Sequence, residues 1–518
     1  MSFIGFASYQ KLAELAKEPI DLRIQLTSDR LKKYQAEALG FKLLYGCERV
    51  SSEVLGQLLA LAKESKAIEQ MIKMQSGEVV NTIEGFPCEN RAALHTAMRD
   101  FFDHRMDTPK AKEASQKAFA ELEKLKSFLP TVDKFSTIVQ VGIGGSDLGP
   151  RALYLALEAY RKKGRKAHFI SNVDPDDAYE VLEKVDLDKT VFVVVSKSGT
   201  TLETLTNEYL IRDFLQKKGI NPKERIISVT GEKSPMDDSS NYLASFYIWD
   251  YIGGRYSATS MVGAVLLGFC FGIEPLFDFL FGASQMDKHV MDSKIEDNLP
   301  LISALLGIWN RNFLKLPTLA ILPYSQALVR FVAHLQQLDM ESNGKSIDKQ
   351  GKQVAFETGP VIWGEVGTNG QHSFYQSIHQ GSSVIPSVFI GFAESVKGLD
   401  IKYDQTTSHQ KLLANLFAQV IALAKGKSEP NNLNQNFEGN RPSHLLLAKK
   451  LDFKSLGTLL AFFEHRVAFQ GFIWNINSFD QEGVQLGKKL ANQIIDLYAG
   501  KDNVFEEGKF FIKELKKL

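Results

Sequence analysis

The chain has 518 residues, with 61 basic and 61 acidic side chains, a formal net charge of zero, 44% hydrophobic residues and 24% charged ones. Such proportions describe an ordinary globular protein, and the length calls for at least two domains, because single hydrophobic cores stop growing at roughly 250–300 residues. Charge neutrality excludes a general attraction to nucleic acid or to an anionic membrane, while leaving room for a local positive pocket.

Cys47, Cys88 and Cys270 are the only cysteines. Their spacing makes neither a disulfide framework nor a zinc site, so a reducing, cytoplasmic setting is expected. Met1-Ser2-Phe3-Ile4-Gly5 lacks the basic stretch and long apolar core of a secretory signal. The most apolar run, residues 261–273, is closed by Glu274 and falls short of the ~20 residues that cross a bilayer, so a buried helix is predicted there.

In chain order, residues 1–114 read as a helical extension, with apolar side chains at three- and four-residue spacing over 30–42 and 54–72. From Ser136 the pattern changes. Residues 137–141 form a short β-branched strand ending in Gly142-Ile143-Gly144-Gly145-Ser146, and a helix is predicted over 150–160. The unit recurs: 166–170, 191–195 and 225–229 are predicted strands, the second running straight into Ser196-Lys197-Ser198-Gly199-Thr200-Thr201. Uninterrupted apolar strands alternating with helices imply a parallel sheet covered on both faces, with its ligand site at the carboxyl ends of the strands. A second region repeats the style, with strands over 318–324 and 387–390, a polar loop over 428–443, a helix over 451–473 and an amphipathic helix over 509–518. The fold class is α/β, divided as 115–285, 286–490 and a tail over 491–518.

Two glycine- and hydroxyl-rich loops in one sheet favour phosphate binding, since a helix start offers unpaired N–H groups and partial positive charge. A turn with a simple hydroxyl cap is the competing reading of either loop alone. A dinucleotide loop over residues 142–149, as in an NAD-dependent dehydrogenase, is the weaker reading, because the third glycine, Gly149, comes two places late and no acidic residue clearly ends the next strand. Further on, Gly253-Gly254-Arg255-Tyr256-Ser257 sets an arginine in a glycine turn, and Met340-Glu341-Ser342-Asn343-Gly344-Lys345 sets a carboxylate after a helix predicted over 327–338. His372 ends a long loop from Gly364, and Lys488 opposes the helix dipole near a helix start that follows Phe479-Asp480-Gln481. Read singly, each has a structural explanation.

Taken in order, these segments closely resemble the glucose-6-phosphate isomerase family, over most of the chain from Glu89-Asn90-Arg91 to Lys488. The resemblance implies two sugar-isomerase-type α/β/α sandwich domains with parallel sheets, a homodimer with shared active sites, and no metal, nucleotide or other cofactor. It implies interconversion of glucose 6-phosphate and fructose 6-phosphate, in glycolysis and gluconeogenesis. Glu341 matches the base that moves a proton between C2 and C1, and Arg255 the cation beside the developing enediolate. His372, reaching into the neighbouring subunit's site, and Lys488 match the pair that opens the sugar ring. Gly145, Ser146, Ser196, Lys197, Ser198, Thr201, Gln337 and Gln481 match the phosphate- and sugar-binding positions. The chain departs from common members at Ser198-Gly199, Leu338 and Val366, which affects loop shape and removes no chemical group. A dual phosphoglucose/phosphomannose isomerase and a non-enzymatic sugar-phosphate sensor are the alternatives. The sensor would keep the phosphate loops without needing Glu341, Arg255, His372 and Lys488.

Overall fold

The computed structural model describes residues 2–501 and 504–518. They fall into two compact units, 1–478 and 479–518. The strands, in chain order, are β1 (Gln35–Ala38), β2 (Phe41–Leu44), β3 (Val79–Asn81), β4 (Arg91–Ala92), β5 (Thr137–Val141), β6 (Lys166–Ile170), β7 (Thr190–Ser196), β8 (Ile226–Thr230), β9 (Ala244–Tyr247), β10 (Thr318–Pro323), β11 (Val361–Trp363), β12 (Ser387–Phe392), β13 (Lys402–Tyr403), β14 (Thr406–Thr407) and β15 (Ser443–Ala448).

Two sheets organise the larger unit. One has five strands in the order β6-β5-β7-β8-β9, every neighbouring pair parallel. Every residue of β5, β7 and β8 is buried, as expected for strands covered on both faces. Val139, Val141, Phe192 and Val194 pack there against Ile211 and Leu215 of the following helix. The second sheet runs β1-β2-β15-β12-β10-β11, with β15, β12, β10 and β11 parallel and β1 and β2 antiparallel at the edge. Its core joins Ala320, Leu322, Phe389 and Leu445 to Leu416 and Leu423. The fold is mixed α/β with parallel sheets, as the sequence predicts.

The apolar run after Ser260 is the helix Met261–Phe271, buried along its whole length. The helix Phe453–Trp474 is buried from Leu456 onward and packs against Ile273–Asp292. Within the smaller unit, the helices Gln485–Tyr498 and Glu506–Leu515 pack against each other.

One helical expectation fails. Residues 30–42 hold a short helix, Ser28–Lys33, and then the β1–β2 hairpin. Leu39 and Gly40 both sit at positive φ, which makes the tight turn that twisted hairpins favour. The hairpin buries alternate residues, Ala36 on one strand and Phe41 and Leu43 on the other, so period two overrides a partial helical match. Residues 54–72 are helical but broken, at Lys66, into Ser52–Glu64 and Ala67–Gln75. Strand β15 has no counterpart among the predicted strands. Its polar start is buried because His444 Nδ1 pairs with Glu48 Oε1 at 2.7 Å and its Nε2 with Ser303 Oγ at 3.1 Å, partners far away in sequence.

Candidate active site

Two loops leave the carboxyl ends of adjacent strands in the five-stranded sheet. After β5 the chain makes a tight turn, Gly144–Ser146, and enters the helix Leu148–Leu157. The turn is locked from below, as Gln140 Nε2 donates to the Ser146 carbonyl at 2.7 Å. Gly145 lies against the backbone of Gly254, so close that any Cβ would collide with it. This contact brings the Ser146 loop and the Arg255 loop together, and it explains why glycine is needed on the β5 side.

After β7, the loop from Lys197 leads to Thr201 at the start of the helix Leu202–Lys217. Thr201 does not cap that helix; its Oγ1 bonds Ser196 Oγ at 2.9 Å. Ser198 Oγ accepts from the Thr200 N–H at 3.2 Å. A helix start without a side-chain cap has donors to offer an anion. Lys197 Nζ donates to the Ile252 carbonyl at 3.1 Å. Burial pushes its pKa down to about 8; Arg91 pushes the same way, against Asp250 and Glu89.

Arg255 is buried at the start of a second glycine turn, Gly254–Tyr256. Its Nε donates to Ser342 Oγ and its Nη2 to the Ser478 carbonyl, both at 2.6 Å. Tyr256 Oη shares Ser342 Oγ at 3.2 Å, and its ring stacks on His95 at 4.5 Å. The guanidinium is thereby aimed, and its Nη1 lies 3.5 Å from Glu341 Oε2. The carboxylate keeps 23% side-chain exposure where the arginine keeps 1%, so an anchored cation faces an accessible base.

Glu341 ends a π-helical turn, Gln337–Glu341, that continues the helix Phe331–Gln336. Such widened turns recur at functional sites because they re-aim side chains. Asp339 ties the turn to Arg466 through a buried ion pair at 3.0 Å. Gln337 also opens toward the Ser146 loop: its Nε2 would be 3.3 Å from a Cβ on Gly144, and its Oε1 is buried with no hydrogen-bond donor among the described residues. The geometry thus brings Gly145, Ser146, Gln337, Arg255 and Glu341 together around the two glycine turns.

His372 stands apart from this cluster. It ends the short helical turn Asn369–His372 and is exposed, and its side chain makes no hydrogen bond or ion pair to another described residue. Gln481 and Lys488 belong to the smaller unit, with Lys488 exposed in the first turn of Gln485–Tyr498. Sequence reasoning missed Ser342, Tyr256 and Ser478, which hold the arginine. The first two lie inside flagged segments, but Ser478 stands 223 residues from Arg255 and has no local signal.

Two predominantly parallel sheets, the five-stranded one ending in glycine- and hydroxyl-rich loops, define an α/β protein with its candidate site at the strand ends. A hypothetical protein from Thermus thermophilus shares that fold at a TM-score of 0.67 and 24% identity, over 86% of this chain and 96% of that one. The family model described as phosphoglucose isomerase matches residues 45–507, and the chain belongs to that family. A glucose-6-phosphate isomerase of Protochlamydia amoebophila is 56% identical over 99% of this chain and 97% of its own length. One from Chlamydia pneumoniae is 52% identical over 96% and 95%. The crystal structure of a glucose-6-phosphate isomerase from Chlamydia trachomatis superposes with a TM-score of 0.97, at 48% identity, over 100% of this chain and 99% of that one.

Proposed function

We propose that this chain catalyses the reversible isomerisation of glucose 6-phosphate and fructose 6-phosphate, with Glu341 as the base and Arg255 as the fixed cation beside it. The observation that carries the reading is the 3.5 Å approach of a buried, anchored guanidinium to a solvent-reachable carboxylate. Taking a proton from the carbon beside a carbonyl leaves negative charge on oxygen, so a base and a preorganised cation are the two groups required. A carboxylate can return the same proton to the neighbouring carbon, which makes the step reversible. Arginine stays charged throughout, whereas a lysine could titrate. The sugar carries its own oxidation and reduction, so the proton shuttle consumes no external oxidant.

The hydroxyls of Ser146, Ser196, Ser198 and Thr201, with Lys197 and the backbone at Gly145, hold the phosphate; Gln337 and Gln481 bind nearby sugar oxygens. His372 and Lys488 open the ring by taking a proton from one oxygen and giving one to another. His372 serves the site of a neighbouring subunit, which makes the enzyme a homodimer. Its exposure, and the lack of a side-chain partner for it among the described residues, support that assignment. Large apolar side chains left exposed on the C-terminal helices, Leu486, Phe510 and Phe511 among them, support a subunit contact. The enzyme works in the cytoplasm; none of the described helices is long and apolar enough to cross a membrane.

A coupled assay of fructose 6-phosphate conversion by purified protein, without added metal or nucleotide, tests the reading. Sustained formation of glucose 6-phosphate is expected. Binding of the sugar phosphate without turnover would leave a sensor, and comparable turnover of mannose 6-phosphate would replace the assignment with a dual isomerase.

A further inference from the structure

Elsewhere in the larger unit lies a cavity of about 880 Å³, a volume within the range of metabolite sites, and none of the residues assigned above lines it. Its apolar wall includes Phe6, Val80 and Ile473. Its charged groups are Glu64, Lys66, Lys73, Glu78 and Lys349. The two carboxylates already have partners. Glu64 Oε2 accepts from Ser8 Oγ at 2.7 Å, and Glu78 lies 3.9 Å from Lys73 Nζ.

Lys349 is left over. Its backbone is fixed on both sides, the N–H donating to the Asn475 carbonyl and the C=O accepting from the Glu84 N–H, each at 2.9 Å. Its ammonium lies 5.5 Å from the centre of the Phe472 ring. No described residue accepts a hydrogen bond from it or forms an ion pair with it. Burial alone pushes its pKa down to about 8, with no carboxylate near enough to oppose the shift. Lys349 is half-buried and lines the cavity, so an anion entering there would supply the counter-charge that the described residues do not give it. Lys66 adds a second cation at the start of the helix Ala67–Gln75, where it stands at the N-cap position without a side-chain cap.

We propose that this cavity is a second ligand site that takes a small phosphorylated metabolite, its phosphate on Lys349 and its carbon body against Phe6 and Ile473. The assignment is independent of the isomerase reading, because it shares no residue with that site.

The test is acetylation of the full-length protein by sulfo-N-hydroxysuccinimide acetate, followed lysine by lysine by mass spectrometry. Glycerol 3-phosphate should slow labelling of Lys349 several-fold, at concentrations lower than inorganic phosphate needs, while sodium chloride at equal ionic strength should not. Calorimetry with glycerol 3-phosphate should show one fewer site per chain in Lys349→Met, retention of that site in Lys349→Arg, and its persistence in a Ser196→Ala/Thr201→Ala double variant. Equal protection by sodium chloride would reduce the effect to screening and overturn the proposal. An unchanged number of sites in Lys349→Met would overturn it too, and equal potency of the two phosphates would remove the apolar wall from the site. Should Lys349→Met fail to fold, the labelling of the natural chain still decides.

Discussion

On the proposed reading, the two sheets divide the labour. The all-parallel sheet of β5 to β9 ends in loops whose working parts are hydroxyls, a lysine and backbone N–H groups, at Ser146 and over residues 196–201. The mixed sheet of β1, β2, β10, β11, β12 and β15 contributes the carboxylate and imidazole, Glu341 after β10 and His372 after β11. Arg255, delivered after β9, meets Glu341 across that division. An anion can be held by parts of one loop, because a helix start already carries donors and partial charge. Proton transfer needs groups of opposite character at a set distance, and only two different segments folded together supply them.

The comparison breaks first at Glu341. If the mixed sheet supplies the chemistry, Glu341→Gln should retain binding of a sugar-phosphate inhibitor while turnover falls by ~10²–10⁴-fold. Turnover measured beside calorimetric binding checks this, and near-normal turnover would sink the assignment.

A second experiment sharpens it by asking whether the two groups of the mixed sheet act in one chain or two. A Glu341→Gln chain is mixed with a His372→Ala chain, each inactive alone, under conditions of subunit exchange. One site of a mixed dimer then carries both lesions and the other carries neither. Random pairing makes about half the dimers mixed, so about a quarter of full activity should return. If both residues serve one site of one chain, every site keeps a lesion and activity stays absent; mass spectrometry establishes the exchange independently.

The same division explains what could be read in advance. The loops after β5 and β7 were legible because strand, glycine–hydroxyl run and helix start are contiguous in sequence. Arg255 and Glu341 could be named only as isolated charged residues, each with a bland explanation, until resemblance joined them. Their partnership depends on Ser342 and Ser478, which lie 87 and 223 residues from Arg255. The β1–β2 hairpin escaped for a related reason, since its period-two burial is set by pairing with β15 on the far side of the chain. What was hidden in both places is long-range contact, while what was legible is local geometry.

On the binding side the expected effects are smaller. Replacing Ser196 or Thr201 with alanine removes one hydroxyl from the mutually bonded pair at the helix start. Each loss should weaken a phosphorylated inhibitor by roughly 1.5–3 kcal/mol, the range for hydrogen bonds to charged groups, and leave the inhibitor-saturated fold intact. Affinity for the unphosphorylated sugar should barely move. Unchanged affinity for the phosphorylated compound would place the phosphate elsewhere and dissolve the division of labour.

The smallest effect, and the one most specific to the parallel sheet, concerns pH. Burial holds the Lys197 ammonium at about 8, and Arg91 adds to the depression. A phosphate monoester is already almost fully dianionic above pH 7, its second pKa being about 6, so the ligand's charge stays constant from pH 7 to 9. Over that interval the free protein loses the Lys197 proton, and a bound dianion must restore it. Inhibitor affinity should therefore fall as pH rises through about 8, with a limiting slope of about tenfold per unit. Stability moves the other way. The unfolded chain keeps this proton up to the ordinary lysine value of about 10.4, so unfolding takes up a proton between about 8 and that value and stability rises with pH there. Lys197→Met should flatten both profiles while leaving binding weaker at pH 7. Calorimetric affinities at pH 7, 8 and 9 distinguish the cases, because a lysine that merely braces the loop through the Ile252 carbonyl would give a flat profile in the natural chain.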